Sequence, residues 1–299
     1  MKCELCPRRC GVDRTAERGY CGMGENIAAA KAMLHHWEEP CVSGKNGAGA
    51  VFFSGCVLKC VYCQNYGIST ENRGMEITVR RLSEIFLELC GRGAECIDLV
   101  NPTHFAPQIA ESLAAVKQQV RIPIVYNSGG YERVETLKMF DGLVDVYLPD
   151  IKYFDNDLAL KLSAAPNYFE TAMNALGEML RQTGKPSFGS SKDGGSPLLL
   201  RGTLVRHLVL PNMYKDSIEI VKRLAERFGN DILFSLMSQY TPMGKVKSDP
   251  AFSKMNRRIT TFEYQKVLDA VLDAGLRGYM QERSSAKEEY TPEFDFTGL

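Results

Sequence analysis

The sequence AVFFSGCVLKCVYCQN occupies residues 50–65 and joins an apolar run to three closely spaced cysteines. The apolar run predicts a β-strand that ends near Gly55. Cys56, Cys60 and Cys63 follow in a C-x3-C-x2-C spacing, which predicts a loop carrying three thiols. Thiolates suit iron–sulfur clusters. Because a [4Fe–4S] cluster has four irons, three cysteines would leave one iron free to bind a small molecule. A zinc knuckle or three buried thiols is the alternative.

Composition sets the class of protein. The chain has 299 residues, of which 44% are hydrophobic and 24% charged, with a formal net charge of +0. These values are typical of a globular α/β protein and give no reason to expect a nucleic-acid partner. The sequence shows neither an apolar signal core nor a run long enough to cross a bilayer. Ten cysteines then favour metal chemistry in a reducing cytoplasm over disulfides.

The first 30 residues predict a separate metal-binding segment. Its four cysteines are Cys3, Cys6, Cys10 and Cys21. Four thiols at short range suit a tetrahedral metal, which could hold together a segment too short to build its own core. Structural zinc and an auxiliary iron–sulfur cluster are both compatible with this pattern, and so is a segment without metal.

Residues 31–48 predict an extended connector with turns. His35, His36, Glu38 and Glu39 could act as ligands or acid/base groups. We favour the simpler interpretation, in which they form a lid or strand edge and their polar side chains meet water.

From residue 49 to 283, short apolar runs alternate with helical patterns. The predicted strands are 50–54, 96–100, 122–126, 143–148, 204–210 and 231–237. The predicted helices are 79–89, 107–119, 132–140, 155–181, 215–228 and 261–274. Such alternation indicates a parallel sheet of βαβ units, and six strands are too few for a complete eight-stranded barrel. Residues 184–203 predict a flexible surface loop, and 284–299 a tail that lies over the barrel or frays.

Ligands of parallel α/β folds bind at the carboxyl ends of the strands. After the second strand come Asn101 and Thr103, which offer neutral oxygens, and His104, which is either an acid/base candidate or a structural histidine. Asn127 and Ser128 end the third strand before two glycines, a pattern that suits a close ligand or a tight turn.

Three further positions carry charge or polarity at these ends. Asp150 and Lys152 lie two apart and would face the same side of an extended chain, where they could pair or bind a ligand. Arg206 and His207 fall within the apolar fifth strand on opposite faces, so one of them is expected to meet an anion or carboxylate. His207 is the second acid/base candidate, and Gln239 belongs to the polar rim after the sixth strand.

The cysteine spacing, with Tyr62 just before the third cysteine, resembles the signature of radical S-adenosylmethionine (SAM) enzymes. The wider set of motifs is similar to the branch that contains pyruvate formate-lyase-activating enzymes. That set comprises residues 38–44, 52–56, 63–66, 101–104, 206–211 and 237–242. The family commonly uses a partial six-stranded barrel, so the resemblance implies a partial (β/α)6 TIM-type barrel with an N-terminal Cys-rich segment.

The resemblance also implies a cofactor set. Cys56, Cys60 and Cys63 would hold the [4Fe–4S] cluster, the open iron would chelate SAM, and Tyr62 would lie beside the adenine. Many radical SAM proteins have Gly-Gly-Glu-Pro where this chain has Asn101-Pro102-Thr103-His104. An Asp-x-Lys similar to Asp150 and Lys152 lies in the SAM pocket of pyruvate formate-lyase-activating enzymes. The remaining cofactor-binding candidates are Asn101, Thr103, Asn127, Ser128, Asp150, Lys152, Arg206 and Gln239. An electron donor such as flavodoxin or ferredoxin is the implied partner.

Three functions are open at this point. The first is hydrogen abstraction from an unidentified substrate by a 5′-deoxyadenosyl radical, including activation of a glycyl-radical enzyme and therefore a protein substrate. Activases often carry extra cysteines soon after the first cluster motif, and none occurs between Gln64 and Arg81. The second is modification of a small metabolite or nucleotide. The third is a non-catalytic, zinc-bearing binding module that uses the barrel as a platform.

Overall fold

The computed structural model describes residues 2–189, 197–281 and 291–299. Ten strands are found in this part of the chain: β1 Ile27–His35, β2 Ala48–Phe53, β3 Met75–Ile77, β4 Ile97–Val100, β5 Ile124–Ser128, β6 Val146–Pro149, β7 Ser187–Gly189, β8 Leu198–Leu208, β9 Leu233–Met237 and β10 Gly278–Met280. The helices are α1 Pro40–Ser43, α2 Tyr66–Ser69, α3 Val79–Gly91, α4 Ala106–Val116, α5 Val134–Leu137, α6 Asn156–Ser163, α7 Tyr168–Thr183, α8 Tyr214–Phe228, α9 Lys245–Ser248 and α10 Thr261–Asp273.

The strands form one sheet in the order β10-β9-β8-β6-β5-β4-β2-β1-β3. In this order every neighbouring pair from β2 to β10 is parallel, whereas β1 is antiparallel to both β2 and β3. The tenth strand, β7, lies outside this order and pairs antiparallel with β8. The predicted α/β class with a mostly parallel sheet is confirmed, and all six predicted strands are present. The structure adds the short seventh parallel strand β10.

The sheet curls around a buried interior. Alternate strand residues as far apart as Ala48 on β2 and Leu233 on β9 pack in one cluster with Val125, Val146 and Leu204. The opposite face packs against the helices. On α3, for example, Leu82, Ile85, Phe86 and Leu89 are buried at helical spacing. The carboxyl ends of the parallel strands therefore meet at one end of an open barrel.

One stretch that the sequence predicts to be a single helix forms two helices in the structure. The stretch 155–181 divides into α6 and α7, because Ala164 and Asn167 both adopt left-handed backbone conformations (φ 51° and 50°) on either side of Pro166. A left-handed residue ends the helix before it.

The first strand and the two chain ends differ from the sequence interpretation. β1 runs across the boundary placed between residues 30 and 31, so residues 31–35 of the expected connector are part of the sheet. Within the stretch 184–203, β7 and the start of β8 form an antiparallel pair, and 190–196 lie outside the described residues. Of the tail, 284–290 lie outside them too. Residues 291–299 lie along β1, where Phe296 N donates to Ala30 O at 3.1 Å.

Within the described residues, no helix is both long and apolar enough to cross a membrane.

Candidate functional site

A cavity opens at the carboxyl ends of the parallel strands and extends into the barrel. It encloses about 1460 Å³ of empty space, including the part open to solvent at its mouth. The predicted residues that line it are Cys56, Cys60, Cys63, Tyr62, Asn101, Asn127, Ser128, Asp150, Lys152, Arg206 and Gln239.

The loop that carries the three cysteines is fixed from two sides. Gly55 has φ 79°, and a Cβ there would lie 2.7 Å from Cys21 O, so the turn out of β2 requires glycine. On the other side, Lys59 N and Val61 N donate to carbonyls at the end of α6, at 3.2 and 2.9 Å. The thiols are thus held by tertiary contacts.

Each of the three sulfurs accepts a hydrogen bond from the protein. The donors are Leu58 N to Cys56 Sγ at 3.3 Å, Ser163 Oγ to Cys60 Sγ at 2.9 Å and Ser69 Oγ to Cys63 Sγ at 3.3 Å. Such donors are common around the thiolate ligands of an iron–sulfur cluster, where hydrogen bonds to the sulfurs help to set the cluster's potential. Together with their common cavity, these donors fit a cluster bound by three cysteines.

Burial raises the pKa of the Cys56 thiol to about 12 and also raises that of Cys60, with neighbouring thiols adding to the Cys56 effect. Binding to a metal must therefore displace protons, so the affinity will depend on pH. In the part of the chain that the structure describes, no three His, Cys, Asp or Glu side chains converge as closely as the ligands of a bound metal.

Arg206 is the centre of a buried polar cluster in the cavity wall. It donates from Nε to Asp150 Oδ1 at 2.8 Å and from Nη2 to Asn127 Oδ1 at 2.6 Å. Its Nη1 donates to Glu38 Oε2 at 2.8 Å. Lys152 Nζ donates to Asp150 Oδ2 at 2.6 Å. Burial by itself would raise the pKa of Asp150, but the two cations outweigh burial and lower it.

A hydrogen-bonded chain links the predicted adenine-side tyrosine to the cysteine loop. Tyr62 OH lies 2.6 Å from Tyr153 OH, which lies 2.7 Å from Ser163 Oγ, the donor to Cys60 Sγ. Sequence reasoning missed Tyr153 and Ser163, because they lie about 90 to 100 residues beyond the cysteine loop and match no motif.

The structure corrects three candidates. Thr103 does not line the cavity; its Oγ1 donates to Glu132 Oε1 at 2.8 Å in a buried cluster. His104 is buried, with Nε2 2.6 Å from Ser54 O, and burial lowers its pKa to about 3. His207 lies 2.6 Å from Ile151 O and 2.8 Å from Ser217 Oγ, and burial lowers its pKa to about 4. Neither ring lines the cavity, which favours the structural interpretation of both histidines.

Two acidic residues of the expected connector are part of the site. Glu38 lines the cavity, and Glu39 is 8% exposed, so neither meets bulk water as expected. His35 also lines the cavity, and burial lowers its pKa to about 4. The buried cation Arg206, which required a carboxylate partner, was the signal that could have identified Glu38.

The N-terminal cysteine segment packs directly on the loop that carries Cys56, Cys60 and Cys63. Cys56 N donates to Cys21 O at 3.2 Å, and Arg8 Nε donates to Val57 O at 2.8 Å. A Cβ placed on Gly19 would lie 3.4 Å from Cys10 Sγ and 3.5 Å from Cys21 Sγ, so these two sulfurs are neighbours. Zinc or a second cluster at Cys3, Cys6, Cys10 and Cys21 stays a prediction.

Comparison with known proteins identifies a family and a relative that are similar to this chain. Residues 50–192 match the Radical SAM superfamily. An uncharacterized protein of Methanocaldococcus jannaschii, MJ0674, is 28% identical over 278 residues, which cover 89% of this chain and 73% of that protein.

Solved structures share the fold at low sequence identity. Streptococcus suis SuiB bound to the precursor peptide SuiA has a TM-score of 0.50 and 14% identity, covering 76% of this chain and 46% of SuiB. SuiB bound to S-adenosylmethionine has a TM-score of 0.50 and 14% identity, covering 76% of this chain and 48% of SuiB. The chain thus spans about half the length of SuiB.

Proposed function

We propose that this chain, whose residues 50–192 match the Radical SAM superfamily, binds a [4Fe–4S] cluster through Cys56, Cys60 and Cys63 and uses SAM as cofactor. The observation that carries the proposal is the position of the three thiols. They line one cavity at the carboxyl ends of the parallel strands, and each sulfur has its own hydrogen-bond donor.

The protein's share of the chemistry is orientation and exclusion of water. When bound, such a cluster supplies one electron that splits SAM into methionine and a 5′-deoxyadenosyl radical, which then takes a hydrogen atom from the substrate. Polar groups at the mouth and wall of the cavity would hold SAM. They are Asn101, Asn127, Ser128, Asp150, Lys152, Arg206 and Gln239, with Tyr62 beside the adenine.

The finer assignment is to the branch of pyruvate formate-lyase-activating enzymes. The sequence motifs support it, and the absence of extra cysteines between Gln64 and Arg81 departs from many activases. Activation of a glycyl-radical enzyme in the cytoplasm, with flavodoxin or ferredoxin as electron donor, is one form of this proposal. SuiB was solved with a precursor peptide, which makes a protein substrate worth testing. Modification of a metabolite or nucleotide is the alternative.

Anaerobic reconstitution with iron and sulfide tests the proposal. We expect the wild-type chain to form 5′-deoxyadenosine from SAM and a strong reductant, and the triple variant Cys56→Ala/Cys60→Ala/Cys63→Ala to lose this activity about 1,000-fold or more, because the cofactor has no ligands left. Cys90→Ala is the matched control, since Cys90 lies on α3 outside the cavity.

Two results would contradict the proposal. One is unchanged 5′-deoxyadenosine formation in the triple variant. The other is a wild-type chain that takes up zinc and no iron, which would favour the non-catalytic zinc-bearing module.

A further inference from the structure

Glu38 lines the cavity, and the carboxyl groups of Glu39 and Asp98 are buried behind it; we call these three residues the acidic floor. Asn127 Nδ2 contacts two of them, at 3.3 Å from Asp98 Oδ2 and 3.4 Å from Glu38 Oε1. Glu38 and Asn127 both line the cavity. The acidic floor is therefore continuous with the space in which a ligand would bind.

The acidic floor has more carboxyl groups than cations to pair with them, and burial raises the pKa of Glu38, Glu39 and Asp98. The ion pairs of the described residues connect Glu38 and Glu39 to Arg206, at 2.8 and 3.9 Å. Arg206 is shared with Asp150, which also pairs with Lys152. Four carboxyl groups, counting Asp98, thus share two cations, and burying unpaired carboxylates is costly.

Two buried oxygens of the acidic floor have no hydrogen-bond partner among the described residues. They are Asp98 Oδ1 and Glu39 Oε2, on residues that are 0% and 8% exposed. Glu39 Oε2 does have the ion pair with Arg206 Nη1 at 3.9 Å. Because buried polar atoms are nearly always paired, Asp98 Oδ1 in particular calls for a missing partner. A hydrogen-bond donor with positive charge would satisfy both the orphaned oxygens and the carboxyl groups that lack a cation.

The cavity wall beside Glu38 is aromatic. Phe52 and His35 both line the cavity, with ring centroids 5.8 Å apart, and Phe294 packs edge-on against Phe52 at 5.5 Å. An aromatic face beside a carboxylate is a setting that favours organic cations over bare metal ions. Burial raises the pKa of Glu38, and a bound cation would reverse that effect.

The acidic floor is well separated from the cysteine loop. Asn101 Oδ1 lies 3.6 Å from Cys56 Sγ, and Asn101 directly follows the end of β4 at Val100. Asp98 lies two residues before that end, about 7 Å deeper along the strand at about 3.3 Å per residue. A ligand that reaches from one to the other would be elongated.

We propose that the acidic floor binds the cationic end of the substrate, so that the substrate is a small organic amine whose reacting C–H group lies toward the cysteine loop. This inference rests on the proposed function, because it takes the cysteine end of the cavity as the site of hydrogen abstraction. It adds the chemical class of the substrate.

Calorimetric titration of the reconstituted full chain with n-butylammonium tests the inference. 1-Butanol and butyrate serve as probes of matched length. We expect n-butylammonium to bind at least about tenfold more tightly than either, because only the cation can pair with the carboxyl groups. Glu38→Gln and, separately, Asp98→Asn should each weaken n-butylammonium about tenfold, and Glu111→Gln on the exposed face of α4 should have no effect.

Two results would overturn the inference: equal affinity of the wild type for the three probes, or loss of n-butylammonium binding when SAM is saturating, which would assign the acidic floor to the cofactor. 5′-Deoxyadenosine formation is measured on the same preparations. If it proceeds while the probes bind equally, the proposed function stands and this inference alone is wrong.

Discussion

At the scale of the residue, charge and burial separate the roles of neighbouring side chains. Arg206 and His207 are adjacent on β8, and strand alternation correctly predicts that they face opposite ways. The sequence cannot say which of the two faces the cavity. Arg206 meets three partners inside the barrel, whereas His207 is fixed between Ile151 O and Ser217 on the helix side. Spacing alone was enough to predict that the three cysteines act together, and the structure places them in one cavity.

Glu132 gives a prediction about pH. It is 2% exposed and accepts hydrogen bonds from Thr103 and Tyr126, and burial raises its pKa from 4.5 to about 7. The folded state therefore holds a proton that the unfolded state loses above about pH 4.5. The free energy of unfolding should fall as the pH rises from about 4.5 to 7, by at most about 3 kcal/mol.

The Glu132→Gln variant has no ionisable side chain at this position, so its free energy of unfolding should lack this part of the pH dependence. We expect its thermal midpoint to exceed that of the wild type at pH 8 and to approach it at pH 5. Glu111→Gln, which removes an exposed carboxylate, is the control. Parallel pH profiles for Glu132→Gln and the wild type would show that Glu132 titrates normally.

At the scale of the element, the parallel strands were predictable and the antiparallel additions were not. Each strand from β2 to β9 in the parallel set is an apolar run between helical patterns, a local signal. β1 reads Ile27–His35 with three consecutive alanines, which have low strand propensity, and its pairing with β2 is a tertiary effect. The acidic floor was missed for the same reason, since Glu38 follows β1.

The start of α10 gives a prediction at this scale. Thr260 Oγ1 accepts from Glu263 N at 3.1 Å, and Glu263 Oε2 accepts from Thr260 N at 2.8 Å, which is a capping box. Thr260→Ala should cost about 1 kcal/mol and lower the thermal midpoint by about 2 °C. Thr260→Ser keeps the hydroxyl and should differ little from the wild type, so equal losses in the two variants would count against the cap.

At the scale of the whole molecule, both chain ends contribute to the site. In the N-terminal segment, Cys21 O accepts a hydrogen bond from Cys56 N of the cysteine loop, and the C-terminal residues Thr291 and Pro292 line the cavity. Lys31 fixes that end through Asp295 at 3.0 Å. No sequence pattern connects segments about 260 residues apart, so the cavity's outer wall could be seen only in the fold. A net charge of +0 likewise conceals the concentration of carboxyl groups inside the barrel.

The most direct test of the account is the electron paramagnetic resonance spectrum of the reduced, reconstituted chain with and without SAM. We expect the signal of a reduced [4Fe–4S] cluster that changes shape when SAM is added, because SAM would bind the iron that the three cysteines leave free. The Cys56→Ala/Cys60→Ala/Cys63→Ala variant should lack the SAM-sensitive signal. A wild-type signal that SAM leaves unchanged, or a SAM-sensitive signal that survives in the variant, would contradict the account.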